Sequence, residues 1–222
     1  MPVSRATLVA VQPFADRPAA ERWLREAGDQ REAAEARVHE AVTVLNRVLH
    51  LHRAATADPH VREVDADQAL VVRMGYGEGE QVADGHWLRA IEPTLPRARR
   101  RREAVLRPQE RLAALLGARD AALACEELAL RARQDVDAGR RREAALQLEV
   151  ALVAALAELE PWAPRGDLAA RIDELRVLRP GVQDAARSAL QGGVDDDADA
   201  AVRHALERLE AALRARTALG FD

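Results

Sequence analysis

Residues 141–160 read RREAALQLEVALVAALAELE, and this stretch decides the fold. Ala145, Leu148, Leu152, Ala155 and Leu159 recur at steps of three and four, the spacing that lines side chains along one face of an α-helix. From Val150 to Ala157 no residue carries a charge, so neither side of that segment is marked for water. The pattern predicts a helix buried on both faces, central to a bundle. Its eight uncharged residues fall far short of the ~20 needed to cross a bilayer.

The surrounding sequence repeats the theme. Of 222 residues, 48 are alanine, 28 leucine and 33 arginine, all strong helix formers without a β-branch. Upstream, Arg119 to Asp137 carries Ala121, Cys125, Leu128 and Ala132 at helical spacing, and Asp137-Ala138-Gly139 reads as a turn. Gly139 followed by Ala144, Leu148 and Ala151 resembles the second helix of a tetratricopeptide repeat. The first helix lacks that family's aromatic residue, and no second copy follows at a period of about 34 residues. An ordinary helical hairpin accounts for the same positions.

Farther upstream, Arg97 to Leu116 sets Val105, Leu112 and Leu116 on one side, with Pro108 kinking or splitting the helix. Downstream, Pro161 and Pro164 interrupt the chain. Leu168, Ile172, Leu175 and Leu178 mark a helix that Pro180-Gly181 is expected to stop, and a short helix then runs to Gln191 before Gly192-Gly193. The last helix begins within Asp195 to Asp199 and carries Val202, Leu206, Leu209 and Leu213. At the other end, Asp16 is placed to cap and Pro18 to occupy a first turn. One long helix is expected from there to Thr56, bent at Gly28, with Val38, Ala41, Val42, Leu45, Val48 and Leu49 along one face. Asp58-Pro59 ends it.

The expected fold is therefore all-α, with six to eight helices in antiparallel hairpins and a glycine-rich irregular or short β segment near 70–87. Residues 1–92 hold the long helix and an acidic glycine-rich segment, and residues 93–222 hold the bundle, as two parts or one domain. Alanine buries little apolar area. The stripes at 38–49 and 202–213 look too thin to close a core alone, which points to self-association or a helical partner.

Composition excludes several chemistries. The chain has no lysine, hence no phosphate-loop lysine and no Schiff base. Ser4 and Ser188 are its only serines, and neither lies in a nucleophile elbow. Cys125 is the single cysteine; its neighbours Glu126 and Glu127 oppose a thiolate, so it reads as a small core residue. Histidines 39, 50, 52, 60, 86 and 204 include no Glu-x-x-His pair, and no metal or cofactor is implied. Asp195, Asp196, Asp197 and Asp199 lack the glycine of a calcium loop and read as capping. With a net charge of −4, a pI near 5.9 and no membrane-length apolar run, the chain reads as cytoplasmic.

Two segments carry candidate sites. Four of twelve glycines lie between 75 and 85, beside Arg73, Tyr76, Glu78, Glu80, Asp84, His86 and Trp87. The glycines miss the dinucleotide-binding spacing and the glutamates would repel a pyrophosphate, yet aromatic and titratable groups gather here. The alternatives are a ligand-binding loop and a connection whose aromatics plug the fold. The second segment is basic: Arg97, Arg99, Arg100, Arg101 and Arg102 lie in a stretch, 93–120, of net charge +5, just after residues 61–92 of net charge −4. An acidic segment folded on an arginine helix is the simpler account, and a nucleic-acid patch is the other. The chain thus reads as a helical interaction or scaffold protein without catalytic machinery. Its alternatives are a small-ligand-binding protein or enzyme using the 73–87 loop, and a nucleic-acid binder using Arg97–Arg102.

Overall fold

A carboxylate starts the first helix. Asp16 accepts a hydrogen bond from the Ala19 amide at 2.7 Å, and Pro18 occupies the first turn of α1 (Arg17–Asp29). The computed structural model describes residues 4–10, 12–95 and 108–220. It divides into two compact units, Met1–Ala98 and Arg99–Asp222. Seven α-helices and one two-stranded sheet among the described residues make the chain all-α.

The long N-terminal helix is in fact two. Gln30 adopts an extended conformation (φ −107°, ψ 91°) between α1 and α2 (Arg31–Thr56), so the chain breaks there rather than bending at Gly28. Gly28 instead leaves room for Ile91, whose Cδ1 would lie 3.4 Å from a Cβ at that position. Ala57, in the left-handed region, ends α2 just before Asp58-Pro59. Asn46, the chain's sole asparagine, donates to the Val64 carbonyl at 2.9 Å and accepts from the Val64 amide at 2.8 Å. One side chain thereby mimics a strand partner and holds the segment after α2 against that helix.

The apolar run around Leu70–Met74 becomes a hairpin: β1 (Met74–Tyr76) pairs antiparallel with β2 (Arg89–Ile91), Gly75 opposite Ala90. Tyr76 is buried against Ala20 and Leu24 of α1, with Trp23 and Ile91 beside it. Gly75 is required by packing. A Cβ there would come within 2.5 Å of both the Arg89 carbonyl oxygen and Trp87 Cε3. Gly75→Ala should therefore displace Trp87 and cost about 1–3 kcal/mol through overpacking. Near-ultraviolet dichroism and a urea midpoint check this, and an unchanged Trp87 signal with unchanged stability would contradict it.

The second unit begins, among described residues, with α3 (Pro108–Leu116). Here the expected face is reversed: Leu112 and Leu116 are exposed and Ala114 is buried. The neighbouring helix, α4 (Ala124–Asp137), starts five residues later than Arg119, leaving Ala121 exposed and burying Cys125, Ala129, Ala132 and Val136. Then come α5 (Arg141–Glu158), α6 (Leu168–Leu190) and α7 (Asp196–Ala218). Successive helices pack on one another and α7 returns to α4, which closes an up-down-up-down four-helix ring. Leu148, Leu152, Ile172, Leu175, Val182, Val202, Leu206 and Leu209 fill its centre.

Two expectations fail here for physical reasons. Val150, Val153 and Ala157 are exposed, because no helix among the described residues covers that side of α5; lack of charge did not mean burial. Pro180 does not stop α6. It lies on the exposed side, where the carbonyl of exposed Arg176, left without an amide one turn earlier, is open to solvation, while Leu175 and Val182 keep the buried stripe continuous across it. The 202–213 stripe also closes within its unit, with Leu206 and Leu209 buried and Leu213 packed against the core. The 38–49 stripe does not: Val38 is buried, Leu45 and Leu49 are half-buried, and Val48 is exposed.

Candidate functional site

The glycine-rich hairpin distributes its residues rather than gathering them. Tyr76 points inward, its hydroxyl 3.4 Å from Glu21 Oε1. Trp87 lies half-buried across Gly75 and donates its indole N–H to the Val82 carbonyl at 3.1 Å, closing the connection on itself. Arg73 is exposed and pairs with Glu92 at 3.0 Å. Glu78, Glu80, Asp84 and His86 are exposed along the connection. The glycines thus admit an indole, and the two aromatics serve the packing of the unit. Arg97, Arg99, Arg100, Arg101 and Arg102 lie outside the described residues, as does any pairing of theirs with the acids of 61–92.

The histidines remain dispersed. His39, His52, His60, His86 and His204 are exposed, and half-buried His50 places Nδ1 4.0 Å from Glu63. Among the described residues no three His, Cys, Asp or Glu side chains group as a metal site. None of the helices described is long and apolar enough to cross a membrane. Asp195 caps α7 by accepting from the Ala198 amide at 2.8 Å, and Arg141 reaches Asp196 at 2.7 Å.

One end of the four-helix ring holds a polar network that the sequence did not announce. Arg216, near the end of α7, is 4% exposed, and its guanidinium contacts Asp120, 5% exposed, and Glu126. Arg111 of α3 reaches the same two carboxylates, at 3.3 Å and 2.6 Å. The Arg165 and Arg216 guanidinium carbons lie 5.0 Å and 4.9 Å from the Trp162 ring, within cation–π range. Two arginines facing two acids leave little net charge for an ionic ligand, so the cluster reads as a fastener between the first and last helices of the ring.

Glu158 completes this end. Leu123 precedes α4 without a side-chain cap of its own. The orphan amides of Ala124 and Cys125 instead donate to the Glu158 carboxylate at 3.1 Å and 2.9 Å, and Glu126 accepts from Leu123 at 3.0 Å. Burial alone would raise the Glu158 carboxyl, but the Cys125 amide and thiol and the Ala124 amide outweigh it and hold it low. Burial, reinforced by Glu158, pushes the Cys125 thiol far above its ordinary value, which keeps it protonated and unreactive. Arg216 could have been singled out: it continues the Val202, Leu206, Leu209, Leu213 stripe as a charge in a core position.

A third feature is a surface. Along α2, Val44, Val48 and Leu51 are 50%, 57% and 58% exposed and share one face. The core beneath this unit is thin; beyond Ala20, Leu24, Ala27, Ala34 and Val38 its buried apolar side chains comprise only Tyr76 among the described residues. Comparison with known proteins adds no relative: no family model, no curated protein and no solved structure matches the chain.

Proposed function

We propose that this chain is a helical interaction protein that presents the exposed face of α2 to a protein partner. The observation that supports it is the run Val44, Val48 and Leu51, three large apolar side chains left more than half or half exposed on one helix face. Scattered apolar residues on a surface are normal. A continuous face on a helix of 26 residues, over a core of so few side chains, is a different matter. The four-helix unit also exposes Val150 and Val153 on α5, but over a filled centre, and its exposed Val177 has Asp173, Glu174 and Gly181 one turn to either side, which suits it as a control position.

A photoreactive benzophenone side chain at position 48 should form a protein adduct in cells on irradiation, whereas the same group at position 177 should not. Equal yields at the two positions, or none at either, would count against the reading.

A further inference from the structure

The exposed row on α2 ends at an unusual arginine. Arg37, Ala41, Val44, Val48, Leu51 and Ala55 follow one another at steps of four and three, the spacing of a seam along one side of a helix. They span about 27 Å. Arg37 is half-buried, and its guanidinium carbon lies 5.5 Å from the centre of the Trp23 ring, within cation–π range. Phe14, 42% exposed, tilts against the same indole with ring centres 5.4 Å apart. The guanidinium has no carboxylate. Its Nη1 is shut off from water and makes no hydrogen bond among the described residues. Glu40, three residues on, is exposed and forms no ion pair with it. Unpaired arginines are common on this unit, Arg22, Arg25, Arg31, Arg53, Arg62 and Arg89 among them, but those are exposed and solvated. Of the described arginines that are not exposed, all but Arg37 and Arg179 meet an acid. Of these two, Arg37 alone is held by an aromatic ring at the end of an exposed apolar row.

A half-buried cation without an anion is costly, and the cost falls when a partner brings the anion. A guanidinium suits a carboxylate, which it can hold through two parallel N–H donors. The rest of the row, apolar and at helical spacing, suits the apolar side of another helix. We propose that α2 docks an amphipathic helix of a partner protein whose apolar row ends in an aspartate or glutamate that pairs with Arg37. This rests on the reading of α2 as an interaction face and states the chemistry of its occupant. The acid belongs about 10 Å beyond the side chain that meets Val44, because seven residues of helix separate Arg37 from Val44. A lipid surface fits less well: the row is flanked by Glu40 as well as Arg47, not by a basic cluster.

Fluorescence anisotropy of a labelled synthetic helix, titrated with the full chain, tests it. The probe carries leucine at five successive seam positions, glutamate at the sixth, and alanine or glutamine elsewhere. Two further probes put glutamine or arginine in place of that glutamate. The glutamate probe should bind in the micromolar range, the glutamine probe about tenfold more weakly and the arginine probe more weakly still. Arg37→Gln should bring the glutamate and glutamine probes to the same affinity. Arg37→Glu should reverse the order, so that the arginine probe binds best. Val48→Glu, at an exposed position, should weaken all three while helix content by circular dichroism stays unchanged. Probes that bind the parent equally overturn the proposal, as does binding to anionic phospholipid vesicles in preference to every probe. If the probes fail while a protein still crosslinks at position 48, the acidic helix falls and the interaction reading stands. If nothing crosslinks there either, both fall.

Discussion

Leu152→Ala will destabilise the four-helix unit by about 2–5 kcal/mol, measured as a shift in urea midpoint without a large change in slope. Leu152 is fully buried in the centre of α5, packed within the cluster that draws on all four helices of the ring. Truncation removes three heavy atoms and leaves a void that close-packed neighbours fill only in part. Val150→Ala, two residues away on the exposed side of the same helix, should stay within about 0.5 kcal/mol of the parent. Similar costs at the two positions would mean that α5 is turned differently about its axis from what is described.

Arg216→Met should cost on the order of 1–3 kcal/mol at neutral pH, because it removes one of the two guanidiniums that face the largely buried Asp120 and Glu126 carboxylates, leaving only Arg111. Methionine retains the apolar stem, so the loss reports the charge. Acid should reveal the same contact. Burial alone would raise the Asp120 carboxyl, yet the Arg216 guanidinium, the Ala121 amide and Arg111 together depress it. A carboxylate with a depressed folded value contributes stability above its unfolded value, about 3.9, and loses that contribution as pH falls through the folded one. The parent should therefore lose stability steeply below about pH 4, and Arg216→Met should start lower and fall less. Parallel acid profiles for the two proteins would remove Arg216 from the cause.

Helical character was legible because it is written locally. The step of three and four in α5, the Asp16 and Asp195 caps and the turn at Gly139 all depend on residues within a few positions of one another. What was illegible depends on distance. Asp120 and Arg216 are 96 positions apart, and nothing near either reveals the other. The uncharged centre of α5 was misread for a related reason: charge marks the exposed side only when another helix covers the rest, and a ring of four leaves one side of each helix bare. Pro180 was misread because a missing amide is costly only where the abandoned carbonyl is cut off from water. At the glycine-rich segment, composition identified an unusual place, but whether Gly75 admits a phosphate or an indole depends on Trp87, which the connection folds back over it twelve residues later.

The Glu158 carboxylate bears on how such a bundle opens. Helices ordinarily unravel from their ends, each terminus independently of the others. Here the last residue of α5 holds the first amides of α4, and both lie beside the Arg216 fastener that binds α7. No one of these three ends can loosen without stranding a charge or an amide belonging to another. The end of the ring that sequence left unmarked thus opens as one cooperative knot rather than as three separate helix ends.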